Sequence, residues 1–529
     1  MDIRDPLLIS LLVNMKTSKI AFSTWHDASA SLVVDGKLDL LIHQERLTHV
    51  KHDRGNSYTE LLNQRDELKT YEGEVGFCAL DKNSNHHLYH AAHSFYDSGY
   101  REAVCVVIDG MGSEVEINDS KFEKGSSGRE CVTIYKASYP NEFKLIHRIV
   151  SVPFESGNLP FGDPKSFVKK QISPGMIFQK TCQNWGMEWY DAGKLMAMSS
   201  FADEPTHFSK ICNNIWRPFN IEDVFEINEK DVRDVKLIQK YETFQEKANF
   251  CKWIQEYCQE YTKQTIVKAI ELSGCKNVCL SGGYFLNCVS NSYVRKNLPK
   301  DINIFVEPIC GDDGVSIGLA KLLYHTETKS KKITSLDTVY KGIEREINVD
   351  GITTSPEEVA QLLADGKVVS IFQSRSECGA RALGNRSILY DPRDPHGKDR
   401  INKLKGREDY RPLAATVLYE HAKKWFDMSF LDESPYMLYA LDVLSDKIPA
   451  VCHVDNTCRV QTLKKKFNPH YYELINQFHK ITGVPLLLNT SFNLAGDTIV
   501  ETVEDAIRTL SMSEIDYVYF PEKNLVIQK

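Results

Sequence analysis

The sequence predicts a mixed α/β chain of two joined domains. Its 529 residues are long for one hydrophobic core, because single cores stop growing at about 250–300 residues. Apolar runs that end in glycine turns alternate with helical stretches, as strands feeding helices do. A polar segment at 323–336, rich in Lys, Thr and Ser and without periodicity, reads as the linker. The expected division is 1–335 and 336–529.

Taken in order, Ile20, Ala21 and Phe22 begin a strand, residues 31–34 a second, Asp35-Gly36 a hairpin turn, and residues 38–42 a third. Residues 103–108 are continuously apolar and end at Asp109-Gly110, as buried central strands do. Residues 277–280 run into Ser281-Gly282-Gly283 and then a helix. Such turns let backbone N–H groups approach an anion. Beyond the linker, residues 356–364 read as a helix and 368–372 as a strand, opening the second α/β unit.

Hydrophobic residues make up 42% of the chain, charged residues 26%, and the net charge is −8. These values describe an ordinary globular enzyme and exclude a disordered or fibrous chain. With a pI of about 6.1 there is no global pull toward nucleic acid. The runs Lys464-Lys465-Lys466, Lys169-Lys170 and 329–332 read as solvated surface. The fourteen cysteines lack a framework spacing, which points to buried thiols in a reducing compartment. The apolar run at 7–13 is short and follows acidic residues, a poor signal peptide and too short to span a bilayer. A cytoplasmic protein is expected.

His86 and His90 stand four apart, so on a helix both imidazoles share one face, as a metal ion requires. A polar helix face with surface histidines would show the same spacing. Far downstream, Asp312 lies in a glycine-rich segment at 308–314 and offers a carboxylate. Two His and one Asp with open positions is the arrangement of a catalytic metal.

The second half is rich in cations. Arg375, Arg381, Arg386, Lys405, Arg407 and Arg411 are interleaved with glycine and small residues. Arg suits bidentate phosphate binding and Lys serves as a point charge, so a polyphosphate or acyl-phosphate pocket is expected. After the apolar run 484–488, residues 489–493 add amide and hydroxyl groups at a strand end, either ligand contacts or a turn.

The order of these motifs resembles the NodU/CmcH-type O-carbamoyltransferases from about residue 18 onward. The matching stretches are 26–30, 86–92, 109–110, 193–196, 281–283 with Asn287, 311–312, 381–389, 391–395, 405–408, 411–412, 453–455, 459–461 and 489–493. The resemblance implies a two-lobed actin/Hsp70-like (ASKHA) N-terminal domain and a YrdC-like C-terminal domain. It implies that carbamoyl phosphate and ATP, the latter with Mg2+, form carbamoyl-adenylate, whose carbamoyl group moves to an acceptor hydroxyl. Carried over by motif, His86, His90 and Asp312 would bind a divalent metal, Fe(II) in this family. Asp109, Gly110, Lys194, Gly282, Gly283 and Asn287 would hold the nucleotide. Arg381, Arg386, Lys405, Arg407, Arg411, Arg459, Asn489 and Ser491 would hold carbamoyl phosphate and ATP. His26, beside Asp27, would be the base that deprotonates the acceptor. The chain departs from the family run at 44–49, 193–201, 283–286 and 374–380, without loss of a candidate ligand.

The expected acceptor is a sugar or other natural-product alcohol. A hydroxymethylcytosine in DNA or nucleotide is the alternative, for which Trp185, Trp189 and Tyr190 would be stacking groups. A phosphotransferase of the same N-terminal fold would share the glycine turns but gives no reason for the His pair. No membrane association is expected, and a homodimer is in view.

Overall fold

The computed structural model describes residues 18–55, 57–64, 75–78, 85–116, 127–151, 159–161, 163–169, 173–203, 225–227, 235–237 and 240–529. The apolar run at 7–13 and Lys170 lie outside the described residues. The chain forms two compact units, both discontinuous in sequence. The first comprises 1–25, 29–39 and 65–336; the second comprises 26–28, 40–64 and 337–529.

The first unit is built on two main sheets, with a two-stranded pair, Phe225–Ile227 and Val235–Leu237, besides them. In the smaller, Ser18–Ser23 pairs antiparallel with Ser29–Val34 and parallel with Val75–Cys78. In the larger, Glu102–Ile108 is central, parallel to Asn277–Ser281 and antiparallel to Ser127–Ser138. Asn277–Ser281 pairs parallel in turn with Asn303–Val306. The run 103–108 is wholly buried, which explains why its residues do not alternate. Helix His86–Ser98 buries Ala91, Ala92, Phe95 and Tyr96 against Ala103, Cys105 and Val107. Helix Val315–Thr328 buries Val315, Leu319 and Ala320 against Ala21 and Val33.

That second helix corrects the linker. Residues 323–328 continue it, because Tyr324 and His325 are buried and His325 stacks on Tyr96 at 4.2 Å between centroids. Composition alone made this last turn look like connecting chain; only 329–336 leaves regular structure.

The second unit carries a nine-stranded mixed sheet. In spatial order its strands are Ile352–Thr353, Leu525–Gln528, Tyr517–Phe520, Val369–Phe372, Arg386–Tyr390, Leu486–Ser491, Ala414–Leu418, Thr457–Leu463 and Ala440–Asp442. Helix Pro356–Ala364 starts with a capping box from Ser355 and Glu358, which satisfies two orphan N–H groups reciprocally. The strands Arg386–Tyr390 and Leu486–Ser491 are antiparallel, with Leu389 opposite Asn489, so residues of the arginine-rich motif and of the amide-and-hydroxyl run share the middle of one sheet.

Among the described residues the cysteines are free thiols, and all but Cys452 are buried. Trp185 packs partly against its own unit. It is half-buried, with its ring 5.8 Å from that of Phe250 and 6.1 Å from that of Tyr241. Trp189 and Tyr190 are also half-buried and meet edge to face.

Candidate functional site

In the first unit, His86 and His90 occupy the first turns of helix His86–Ser98, and their Nε2 atoms lie 3.1 Å apart. Asp312 opens a short helical turn after the strand Asn303–Val306, and its Oδ1 lies 3.4 Å from both Nε2 atoms. A fourth group joins them. Asp109, at the end of the central strand, places Oδ2 3.3 Å from His86 Nε2 and 4.0 Å from that of His90. All four residues are buried, and one ligand atom from each lies within 4.8 Å of the others. Burial works against a charged His86, but the Asp312 charge and hydrogen bonds to both carboxylates carry its pKa well above the usual imidazole value. Burial and repulsion from the Asp312 carboxylate work against an ionised Asp109, though the two imidazoles carry its pKa below the usual carboxylate value. Two buried carboxylates and two imidazoles aimed at one point fit a divalent cation, whose charge would offset that repulsion.

The fourth group adds to the sequence reading, which placed Asp109 at the nucleotide and left it out of the metal ligands. The glycine turns meet the cluster too. Gly282 N donates to Cys310 O at 3.0 Å and Gly283 N to Asp109 Oδ1 at 3.1 Å. In this structure these amides brace the Asp109 carboxylate and the loop of Asp312. Gly282 has φ +103°, and a Cβ there would fall 2.2 Å from Ile108 O. Gly110 lies against Gln179, and its carbonyl accepts from Ser173 Oγ at 2.9 Å. Asn287 is a helix cap: its side chain accepts from Ser290 N and exchanges hydrogen bonds with Gln255. Lys194 is ion-paired with Asp191 at 3.0 Å.

The cationic residues of the second unit divide into two groups. Arg386 is completely buried, with its guanidinium 3.7 Å from the Phe372 ring centroid. It donates to the carbonyls of Gln373, Asn385 and Ser374 at 2.6–3.0 Å. Its place is therefore the core under the loop, not the contact with an anion that its motif suggested. Asn489 is likewise fully buried and donates to Thr416 Oγ1 and Ala382 O.

Lys405, Arg407, Arg411 and Arg459 form the other group. Lys405 Nζ donates to Ser491 O, Ser491 Oγ and Asn493 Oδ1 at 2.5–3.1 Å. Burial, and then the charges of Arg407, Arg411 and Lys51, depress its pKa well below the usual lysine value. Burial with Arg411 and Arg459 pushes Arg407 down to about 9. Such mutual repulsion is what a bound polyanion relieves. Arg381 is half-buried in the loop ahead of Arg386. That loop is shaped by Glu377, whose Oε1 accepts from the amides of Leu383, Asn385 and Arg386 at 2.5–3.4 Å.

His26 and Asp27 lie in the turn after strand Ser18–Ser23 and group with the second unit, although their place in the chain falls within 1–335. His26 Nδ1 is 3.0 Å from Asp27 Oδ2, and Asp27 Oδ1 is 2.6 Å from His52 Nδ1. Asp27 has φ 58° and His52 φ 53°, a left-handed backbone that costs of order 1–3 kcal/mol per residue. His52 and Lys51 escaped the sequence reading. The run Lys51-His52-Asp53-Arg54 has no spacing that sets it apart from ordinary charged surface.

Two family models match the chain: Carbamoyltransferase N-terminus over residues 77–321 and Carbamoyltransferase C-terminus over 360–529. The nodulation protein NolNO of Sinorhizobium fredii is 30% identical over 93% of this chain and 77% of its own length. The 3'-hydroxymethylcephem-O-carbamoyltransferase of Amycolatopsis lactamdurans is 33% identical over 60% of this chain and 61% of its own. Among solved structures, full-length HypF in its phosphate- and nucleotide-bound form overlaps 58% of this chain and 46% of that one, at 12% identity and a TM-score of 0.37. Among the described residues no helix is long and apolar enough to cross a membrane. With both halves of the family matched in order, the chain belongs to the carbamoyltransferase family and is an enzyme of carbamoyl transfer.

Proposed function

We propose that this chain moves the carbamoyl group of carbamoyl phosphate, through carbamoyl-adenylate formed with ATP, onto the hydroxyl of a small-molecule acceptor. The observation that carries this reading is the buried convergence of His86, His90, Asp109 and Asp312. A divalent metal held there, Fe(II) in our reading, would act as a Lewis acid on the carbamoyl carbonyl.

The chain's own residues do the rest. Lys405, Arg407, Arg411 and Arg459 gather positive charge where carbamoyl phosphate and the ATP triphosphate, with its Mg2+, would bind. A preorganised cationic clamp offsets charge that develops on phosphate oxygens. Glu377 and the buried Arg386 hold the loop that carries Arg381. In adenylate formation water cleaves carbamoyl phosphate to carbamate and phosphate, and the carbamate oxygen then attacks the α-phosphorus of ATP, where the bond to pyrophosphate breaks. In transfer, the acceptor oxygen bonds to the carbamoyl carbon, the bond to AMP breaks, and the hydroxyl proton passes to a base. We assign that base to His26: with Nδ1–H given to Asp27, Nε2 accepts the proton. The names of the cephem O-carbamoyltransferases support an alcohol acceptor.

The test is ATP/pyrophosphate exchange that requires carbamoyl phosphate, followed by carbamoylation of a panel of primary alcohols. Exchange dependent on carbamoyl phosphate is expected. ADP formation would instead place the chain with phosphotransferases and sink the proposal.

A further inference from the structure

Helix His86–Ser98 continues its histidine stripe inward. His93 and Asp97 follow His86 and His90 on the same face, and Glu307 lies beside them. His93 Nε2 is 3.2 Å from Asp97 Oδ2 and 3.4 Å from Glu307 Oε1. Lys321, from helix Val315–Thr328, is ion-paired with Asp97. His93, Glu307 and Lys321 are 0% exposed and Asp97 4%. Four ionisable side chains in a dry core are costly unless their geometry is needed.

What this quartet touches is the loop that carries Asp312. Glu307 Oε1 accepts from Ile309 N at 3.1 Å. Glu307 N in turn donates to Leu280 O, and Gly282 N to Cys310 O, each at 3.0 Å. At the far end of the loop, a Cβ on Gly314 would fall 2.1 Å from Ile309 O and 2.7 Å from His93 Nδ1. The loop is therefore seated on His93 and Glu307, with Asp312 between its two ends. The three acidic and imidazole groups could themselves hold a metal ion, but the Lys321 ammonium already supplies the cation at Asp97.

We infer that Glu307 and His93 are positioning residues for Asp312, fixing the loop so that its carboxylate reaches the point shared by His86, His90 and Asp109. The inference rests on the reading of those four residues as a metal centre. Burial and the nearby Asp97 charge push the Glu307 pKa well up, and a glutamine side chain offers Ile309 N the same acceptor.

Cobalt(II) alone, titrated into the full chain and followed by its absorption bands, tests this. Wild type should bind cobalt, and Asp312→Ala should not. Glu307→Gln, which keeps the acceptor for Ile309 N, should bind within about threefold of wild type. Glu307→Met, which keeps the volume and loses the acceptor, should bind roughly 10–100-fold more weakly, the usual effect of losing an outer-shell partner. Equal affinity in Glu307→Met and wild type, or an equal loss in Glu307→Gln and Glu307→Met, overturns the inference. Should Glu307→Met fail to fold, His93→Asn carries the same expectation, and unchanged affinity there overturns it. A wild-type chain that binds no cobalt refutes the metal centre itself, and this inference with it.

Discussion

Asp109 Oδ1 accepts the amide of Gly283 at 3.1 Å while Asp109 Oδ2 stands 3.3 Å from His86 Nε2. One carboxylate thus joins a glycine turn to the candidate metal centre. Asp109→Asn keeps an acceptor for the amide and removes the charge, so it separates the two tasks. We expect Asp109→Asn to fold normally yet lose most bound metal and carbamoyl transfer, as His86→Ala, His90→Ala and Asp312→Ala should. Elemental analysis of each purified variant decides; full metal occupancy in Asp109→Asn would remove it from the ligand set.

Gly282 makes a second, purely steric prediction. Its φ of +103°, and the mere 2.2 Å that would separate a Cβ from Ile108 O, leave no room for a side chain. Gly282→Ala must shift either the turn or the central strand, at a cost of at least about 1–3 kcal/mol. Chemical denaturation should report that loss, whereas Gly186→Ala, where a Cβ meets nothing within 4 Å, should lose less.

The two groups of cations should behave differently. Arg407→Ala and Arg411→Ala should raise the KM for carbamoyl phosphate or ATP in AMP formation with little change in melting temperature. Arg386→Ala leaves the carbonyls of Gln373, Asn385 and Ser374 without their buried donor, and so should lower melting temperature and activity together. His86→Ala should retain carbamoyl-phosphate-dependent AMP formation. If it fails there as badly as Arg407→Ala, the division of labour between the units is wrong.

Much of this was legible in the sequence because period and spacing carry it. The His pair at i and i+4 needs only a helix to converge, and the run 103–108 needs only to be central. What escaped depends on tertiary context. Asp109 and Gly283 are far apart in the chain, and nothing local tells whether an amide faces a carboxylate or a phosphate. Arg386 stands in a motif rich in candidate anion-binding residues, yet its place on a central strand buries it. The linker was shorter than composition suggested because His325 stacks on Tyr96, a partner on another helix.

The Asp27–His52 pair predicts a pH effect. The hydrogen bond and charge of Asp27 outweigh burial and raise His52 above its usual pKa, while both histidines hold Asp27 below the carboxylate norm. A raised His52 contributes stability that is complete below about pH 6.5 and fades as pH rises through the folded-state pKa. A depressed Asp27 contributes above about pH 4, and that part fades as pH falls through its folded value. NMR titration should place the His52 pKa above about 6.5 in wild type and lower in Asp27→Asn. An unchanged His52 pKa in that variant would refute the coupling.

The same Asp27 orients His26, and the most exacting prediction concerns that histidine. If His26 is the base, His26→Ala should leave adenylate formation and metal content intact while transfer falls by roughly 10²–10⁴-fold, the usual worth of general-base catalysis. His26→Asn keeps a hydrogen bond to Asp27 but cannot accept the proton, so transfer should fall as far. Wild-type transfer should rise with pH through the imidazole range, about 6–7, and that rise should vanish in both variants. Asp27→Asn supplies the control, since it loses the charge that orients the ring and retains the imidazole. Transfer there should fall less than in His26→Ala and keep a pH dependence. Near wild-type transfer in His26→Asn would show that the residue only shapes the turn after strand Ser18–Ser23, and the acceptor proton would have to leave by another group.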